Sequence, residues 1–353
     1  MFVPHSRPTL GDDEAQAVAA VVQSGHIAEG EVVARFEKAF ADKMGVQDAV
    51  AVSSGTSALH LTLLAMDVGP DDEVVIPSYV CTALLYAVEY VGAKPVLAEI
   101  DPLTYNIDPA DVQKRVTKRT KAIIVPHLFG LAADLNKLLK LKVPLIEDCA
   151  QAVGGAYGHK PLGTFGEAAI YSFYATKMMT TGEGGMVIAK SPNIIDRIRD
   201  LKSYDNKSAN RMRYNFKMTE IQAALGEVQL ARLDDFIERR RNIAQHYFDS
   251  LRSLALKLPA HHDEHSFYRF AIGLDTDCES LIQHLVQDGI GAARPVFLPI
   301  HRHLKTEGYS LTDNAWQTTL SLPIYPSLHK AAIDHVISRF IRIFEKRNRQ
   351  TAC

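Results

Sequence analysis

Short apolar runs alternate with helical patterns through the first two thirds of the chain, and this alternation restricts the possible folds more than any other feature. Most of the runs are continuously apolar, which indicates strands covered on both faces. Because helical segments such as 56–66 and 82–90 separate them, we predict βαβ units and a mostly parallel sheet. The seven predicted strands are 48–54, 73–77, 94–100, 121–127, 143–147, 168–173 and 185–189.

The last third of the chain has a different pattern. From Thr219 to Leu251 the apolar residues keep helical spacing, which predicts one long helix that connects two parts of the protein. A strand at 267–274 and helices near 279–288 and 331–346 then predict a smaller α+β unit. Since 353 residues fit about two domains, we predict a large domain over 1–240 and a small one over 241–353.

Charge and hydropathy narrow the class of protein. The chain has 39 lysines and arginines against 41 aspartates and glutamates, so no basic excess indicates a nucleic-acid or membrane partner. No apolar stretch reaches the roughly 18 residues of a membrane span, and the N-terminus lacks the apolar core of a signal peptide. The cysteines are scattered, with Cys149 among apolar neighbours, which favours a reducing compartment. We therefore expect a cytoplasmic protein.

Several histidines cluster in the last hundred residues, but their spacing matches no zinc-binding motif. We interpret them as exposed or core residues and expect no metal. They are His261, His262, His265, His301 and His303.

One lysine has an unusual setting. Lys177 follows a predicted strand, is flanked by Tyr174 and by Met178 and Met179, and precedes a glycine cluster that allows the chain to reverse into the next strand. Most lysines are solvated surface residues. An amine in apolar surroundings is a better nucleophile, and it can form a Schiff base with the aldehyde of pyridoxal phosphate.

Two carboxylates stand 29 to 30 residues before this lysine, at the end of a predicted strand. A surface turn would explain Glu147 and Asp148 equally well. However, ligands of parallel sheets bind beyond the carboxyl ends of the strands, where an acid can keep the cofactor's pyridine nitrogen protonated. We prefer Asp148 because Gln151 follows at a spacing that could share the site.

A serine- and glycine-rich turn, Ser53-Ser54-Gly55-Thr56-Ser57, joins a predicted strand to an apolar helix. Glycine at such a turn lets backbone N–H groups approach an anion, and the helix N-terminus adds a favourable dipole. A plain helix cap is the alternative. Together with Lys177 and Asp148, the turn predicts a phosphate site.

These motifs resemble the sugar aminotransferases of the DegT/DnrJ/EryC1/StrS family, and the likeness covers nearly the whole chain. It is carried by the segments SSGTSALHL, IDPLTYNIDP, VPHLFG, IEDCAQAVGG, SFYATKMMTTGEGG, YNFKMTEIQAA and LSLPIYP. The resemblance implies an α/β fold of the aspartate aminotransferase type, fold-type I, with a mostly parallel seven-stranded sheet and a smaller C-terminal domain.

The resemblance also implies roles for individual residues. Lys177 would form the Schiff base with pyridoxal phosphate, and Asp148 would pair with the pyridine nitrogen. Gln151 would lie beside the ring hydroxyl. The phosphate would be held by Gly55, Thr56 and Ser172, and by Asn215 from the second subunit of a homodimer.

The expected reaction moves an amino group from an amino acid, L-glutamate by the family likeness, to a nucleotide-linked ketosugar. Such transfers serve deoxyaminosugar biosynthesis for cell-surface polysaccharides or antibiotics. Lys177 would act as general base and then acid. The sequence leaves two alternatives open: a lyase or desulfurase of the same fold, with Cys81 as its cysteine, and a regulatory protein without turnover.

Several positions depart from the family pattern, and one of them concerns the cofactor ring. The family places an aromatic residue that stacks on the cofactor ring where this chain has Cys81. Either Tyr79 substitutes for this residue, or the stacking is lost.

Overall fold

The computed structural model describes residues 1–205, 207–260 and 263–351, so His261 and His262 lie outside the described part. Its strands are β1 (Ala49–Val52), β2 (Glu73–Pro77), β3 (Lys94–Ala98), β4 (Thr120–Pro126), β5 (Leu145–Asp148), β6 (Ala156–Tyr157), β7 (Lys160–Pro161), β8 (Ala168–Ser172), β9 (Gly185–Ala189), β10 (Phe270–Gly273) and β11 (Thr319–Leu322). Its α-helices are α1 (Asp12–Ser24), α2 (Glu31–Met44), α3 (Gly55–Ala65), α4 (Ala83–Tyr90), α5 (Pro109–Arg115), α6 (Leu135–Leu139), α7 (Pro192–Leu201), α8 (Glu220–Ala231), α9 (Leu233–Leu251), α10 (Glu279–Gln287), α11 (Ile300–His303), α12 (Ser310–Thr318) and α13 (Lys330–Thr351).

Seven strands form the main sheet in the order β1-β9-β8-β5-β4-β2-β3. Every pair from β8 to β3 is parallel, and β9 runs antiparallel to both of its neighbours. The sequence prediction of a mostly parallel seven-stranded sheet is therefore confirmed, with each strand close to its predicted range. Because β9 is antiparallel to both β1 and β8, the strands β1 and β8 run in the same direction.

Both faces of this sheet are covered, which is why its strands are continuously apolar. On β1, Ala49 and Ala51 belong to one buried cluster, whereas Val50 and Val52 belong to the cluster on the opposite face. All four side chains are fully buried. Alternate side chains of a strand face opposite sides, so helices packed on both faces leave no room for a polar side.

The long helix predicted from Thr219 to Leu251 is instead two helices, α8 and α9, which meet at Arg232. Arg232 has φ −94° and ψ 1°, outside the α-helical region, so the helix is interrupted at this residue. Arg232 fixes the junction through an ion pair of 2.6 Å with Glu14 on α1.

A third buried cluster involves α9, the antiparallel pair β10–β11, α10 and α13. Val3 joins the same cluster, because it forms a bridge with Ile290 and its N–H donates to the carbonyl of Gly289 at 2.8 Å. The strand, helix and final helix predicted for the C-terminal part are all present. The domain division at 240/241 stays a prediction. Among the described helices, none combines the length and apolar character that a bilayer crossing requires.

Candidate active site

The predicted site residues follow strands whose carboxyl ends lie at one edge of the sheet. Asp148 ends β5, Ser172 ends β8, and the turn after β1 leads directly into α3. β5 and β8 are parallel neighbours, and β1 points in the same direction as β8. The topology therefore places the predicted lysine, acid and phosphate turn at the same edge, where ligands of open α/β sheets bind.

The N-terminus of α3 has the properties of an anion site. Ser54 caps the helix by accepting a 3.0 Å hydrogen bond from the N–H of Ser57. In the part of the chain that the structure describes, the N–H groups of Gly55 and Thr56 and the hydroxyl of Ser172 have no protein acceptor. Free donors at a helix N-terminus are what a phosphate group requires.

Gly55 brings this helix against β8. A Cβ added at Gly55 would stand 2.8 Å from the Cβ of Ser172, closer than side-chain atoms can approach. A similar limit holds on the neighbouring strand, where a Cβ at Gly185 would lie 2.4 Å from the carbonyl oxygen of Ser54. The two glycines therefore let the phosphate turn, β8 and β9 come together.

The two carboxylates of β5 have different surroundings. Glu147 is fully buried and accepts hydrogen bonds from one imidazole and three backbone N–H groups. Their donors are His127 at 3.0 Å, Gly163 at 2.8 Å, and Phe165 and Gly166 at 2.7 Å each. Burial alone would raise the pKa of Glu147, but His127 and these N–H groups outweigh it and hold that pKa below its usual range. Glu147 is thus a structural charge that organises the 163–166 loop.

Asp148 faces the other way and accepts one hydrogen bond within the described residues, from the N–H of Ala150 at 2.9 Å. Burial raises the pKa of this carboxyl, and the Ala150 N–H and the positive charge of Lys177 offset part of the shift. A buried carboxylate with spare acceptor capacity suits a protonated ring nitrogen, which would supply the missing charge-assisted hydrogen bond.

Lys177 lies in the loop between β8 and β9. Its N–H donates to the carbonyl of Tyr174 at 2.9 Å, and Met178 and Met179 beside it are buried. Its Nζ atom stands 5.2 Å from the centroid of the Tyr268 ring. The loop therefore holds the backbone of the lysine while its amine faces the site.

The remaining predicted cofactor ligands differ in how they are held. Gln151 is fixed, because its Oε1 accepts a 3.0 Å hydrogen bond from the N–H of Phe129. Asn215 is exposed, and the carbonyl of the next residue, Phe216, accepts a 2.8 Å hydrogen bond from the N–H of Ser53. Asn215 thus lies on the surface near the phosphate turn, and its predicted role in a second subunit stays a prediction.

Tyr79 does not substitute for the missing aromatic residue. Its side chain is fully buried, with ring centroids 6.0 Å from Tyr105 and 6.4 Å from Phe129. A ring packed inside the core has no face left for a ligand. Cys81 itself is solvent-exposed, yet desolvation by the surrounding protein raises its thiol pKa while the charge of Lys177 lowers it. Both effects fit a residue that lines the cleft beside the lysine.

Two residues of the site were missed by sequence reasoning. Tyr268 places its ring against Lys177, and Arg269 stacks on the same ring with its guanidinium carbon 4.4 Å from the centroid. They lie at the start of the segment FYRFAIGL, which the apolar pattern marked only as a strand. Nothing in its spacing indicated that the C-terminal part reaches the lysine.

Three of the histidines considered in the sequence analysis, His265, His301 and His303, lie in the described part of the chain. His265 and His301 are buried, and His301 lies between the Ser78 hydroxyl at 2.7 Å and the Asp313 carboxylate at 3.0 Å. His303 is exposed. Large surface cavities also lie elsewhere: one of about 700 Å³ is lined by the β6–β7 hairpin and Glu264.

The residues present fit pyridoxal phosphate. The unpaired N–H groups at the start of α3 and the hydroxyl of Ser172 can bind the phosphate. The buried carboxylate of Asp148 can accept a hydrogen bond from the ring nitrogen, and Lys177 supplies the amine. This set of groups on a mostly parallel sheet defines the class of pyridoxal phosphate-dependent transferases.

Comparison with known proteins agrees with this class. Residues 8–341 match the DegT/DnrJ/EryC1/StrS aminotransferase family. The chain is 37% identical over 331 residues to GDP-perosamine synthase of Caulobacter vibrioides, covering 88% of this chain and 89% of that relative. It is 35% identical to the spore coat polysaccharide biosynthesis protein SpsC of Bacillus subtilis, with 95% of each chain covered.

Solved structures give the same result. The aminotransferase TlmJ from Streptoalloteichus hindustanus has a TM-score of 0.94 at 30% identity, covering 98% of this chain and 100% of that one. Spr1654 from Streptococcus pneumoniae in its PLP-form has a TM-score of 0.93 at 25% identity, covering 98% of this chain and 99% of that one.

The chain belongs to the DegT/DnrJ/EryC1/StrS aminotransferase family. Membership confirms the predicted fold class, enzyme class and cofactor: the protein is an aminotransferase that uses pyridoxal phosphate. The desulfurase and regulatory alternatives are thereby set aside.

Proposed function

We propose that this aminotransferase moves an amino group from L-glutamate to a nucleotide-linked ketosugar, and that it works as a homodimer in deoxyaminosugar biosynthesis. The observation that carries the proposal is the convergence of Lys177, Asp148 and the α3 N-terminus at one edge of the sheet. The names of the relatives, three of which are GDP-perosamine synthases, favour a GDP-linked sugar as the first substrate to test.

Phosphate binding is assigned to the turn after β1. The N–H groups of Gly55 and Thr56 and the hydroxyl of Ser172 would hold the cofactor phosphate, aided by the dipole of α3. Asn215 of a second subunit would complete the site. Because Asn215 is exposed in the single chain, a partner subunit can reach it without unfolding any buried segment.

Asp148 is assigned to the pyridine nitrogen. Pyridoxal phosphate, when bound, supplies the electron sink that stabilises negative charge on the carbon losing its proton. The buried carboxylate keeps the nitrogen protonated and thereby maintains that electron demand. Gln151, held by the Phe129 N–H, orients the ring from its hydroxyl side.

Lys177 is assigned two tasks. Its amine anchors the cofactor covalently at rest, and during turnover its Nζ removes the proton from the carbon that bears the donor nitrogen and later returns a proton. The buried side chains of Met178 and Met179 provide apolar neighbours on the C-terminal side of the lysine.

The reaction itself can be tested with a panel of GDP-, UDP- and dTDP-linked ketosugars. Each is incubated with the purified protein, pyridoxal phosphate and L-glutamate, and the aminosugar product and 2-oxoglutarate are measured by mass spectrometry. Equimolar appearance of the two products with at least one ketosugar supports the proposal. No aminated nucleotide sugar from any member, in a preparation whose lysine is loaded with cofactor, would refute it.

A further inference from the structure

Arg269 lies beside the active-site lysine. It directly precedes β10 and is half-buried, and its Nη2 donates to the hydroxyl of Tyr268 at 3.2 Å. Its guanidinium carbon is 4.4 Å from the centroid of the Tyr268 ring, and Lys177 Nζ is 5.2 Å from the same centroid. Both cations therefore contact the same aromatic ring.

The guanidinium of Arg269 has no carboxylate partner. No aspartate or glutamate among residues 1–205, 207–260 and 263–351 lies within the 4.0 Å of an ion pair with it. Other arginines that stack on aromatic rings are paired: Arg302 stacks on Trp316 and lies 2.5 Å from Asp313. A half-buried arginine normally has such a partner, because leaving it unpaired costs free energy.

Neighbouring groups do not neutralise Arg269. Burial alone would raise the pKa of Tyr268, but the charges of Lys177 and Arg269 lower it to about 8, so the phenol is mostly protonated at neutral pH. Arg240 adds a third positive charge nearby, and its guanidinium donates to backbone carbonyls. The region around Tyr268 therefore has a surplus of positive charge.

We propose that Arg269 binds a carboxylate of the amino donor. This proposal rests on the proposed function, and it names the residue that recognises the donor as an amino acid. The donor must bring its amino-bearing carbon to Lys177, and its α-carboxylate is bonded to that carbon. The planar fork of Arg269 can pair with both oxygens of a carboxylate. In a nucleotide sugar, by contrast, ring atoms separate the keto carbon from the phosphates.

The test uses glutarate, a dicarboxylate that has no amino group and cannot react. Its dissociation constant is measured by calorimetry on the cofactor-loaded protein for wild type, Arg269→Gln and Arg269→Lys. Arg302→Gln serves as the matched control, because Arg302 also stacks on a ring and is half-buried. Thermal melting of each variant establishes that it is folded.

Loss of a charge-assisted, paired hydrogen bond should weaken glutarate binding about 10- to 100-fold in Arg269→Gln. Arg269→Lys should lie between that variant and wild type, since lysine keeps the charge and loses the fork. Arg302→Gln should bind like wild type. Unchanged glutarate affinity in a folded Arg269→Gln protein, or no glutarate binding by the wild type, would overturn the proposal.

A parallel titration with GDP separates the possible ligands. If Arg269→Gln weakens GDP binding and leaves glutarate binding intact, Arg269 serves the nucleotide and the proposal is wrong. The result is also separable from the proposed function: Arg269-dependent glutarate binding would stand even if no ketosugar were aminated. Conversely, amination with an Arg269-independent donor affinity would refute only the assignment of Arg269.

Discussion

Glu147 and Asp148 are consecutive residues at the end of β5, yet Glu147 accepts four hydrogen bonds in the described structure whereas Asp148 accepts one. Successive side chains of a strand point to opposite faces. Glu147 is therefore directed into the loop that it organises, and Asp148 towards Lys177. The alternation of side chains along β5 therefore leaves Asp148, and not Glu147, available to a ligand.

Substitution of the two acids should have opposite effects. Glu147→Gln replaces one acceptor oxygen with an N–H donor that faces other donors, so the free energy of unfolding should fall by about 3–5 kcal/mol. Asp148→Asn removes a buried charge, so the unfolding free energy of the cofactor-free protein should stay the same or rise. Chemical denaturation of the apo-proteins measures both.

Although Asp148→Asn should not destabilise the protein, it should strongly reduce turnover. Asp148→Asn should lower kcat at least about 100-fold, because an amide cannot keep the pyridine nitrogen charged. A stable, fully active Asp148→Asn protein would contradict the assignment of Asp148, and an unaltered stability in Glu147→Gln would contradict the structural role of Glu147.

Lowering the pH should remove the contribution that Glu147 makes to the stability of the fold. Its folded-state pKa lies below the ordinary value of 4.5, so its carboxylate stabilises the fold above that pH and loses this effect as the pH falls through the lowered pKa. The stability gap between wild type and Glu147→Gln should therefore be full at pH 7 and shrink below pH 4.5. Urea unfolding across this range tests the sign, and a gap that widens in acid would contradict it.

Crowding the phosphate turn should weaken cofactor binding. In Gly55→Ala the new methyl group would meet the Cβ of Ser172 at 2.8 Å, so α3 must shift away from β8. We expect the dissociation constant of pyridoxal phosphate to rise about tenfold or more, the value of one charge-assisted hydrogen bond. Gly69→Ala is the control, since its methyl group meets open space. Equal cofactor affinity in both variants would contradict the phosphate site.

The proposed homodimer can be tested with mixed subunits. Lys177→Ala and Asn215→Ala should each be weak alone. If Asn215 serves the neighbouring subunit, a mixed dimer unites an intact Lys177 with an intact Asn215 in one of its sites. Random exchange of the two variants should then restore about a quarter of the wild-type activity. No recovery after verified exchange would place Asn215 in the site of its own chain.

The sheet could be predicted because the apolar pattern of each strand matches its burial in the folded protein. Strands such as β1 and β4 are apolar on both faces, and the structure covers both faces. The break between α8 and α9 was missed because the junction at Arg232 contains neither glycine nor proline, and an ion pair with distant Glu14 fixes it. Sequence periodicity does not encode such a long-range contact.

The candidate site could be located from the sequence where its residues follow strand ends, as at Asp148, Ser172 and Lys177. Glycine motifs and apolar flanks mark these positions locally. Tyr268 and Arg269 were not predicted, because only the folding of the C-terminal part onto the sheet brings them to the lysine. The proposed role of Tyr79 failed for the same reason: its burial depends on Tyr105 and Phe129, which are remote in sequence.

The central claim is that the amine of Lys177 carries the cofactor, and borohydride reduction tests it most directly. Purified protein is incubated with pyridoxal phosphate, reduced, digested and sequenced by mass spectrometry, beside Lys177→Ala as the control. The account predicts one phosphopyridoxyl group on Lys177 in wild type and none in the variant. Labelling of a different lysine, or the same labelling in Lys177→Ala, would contradict it.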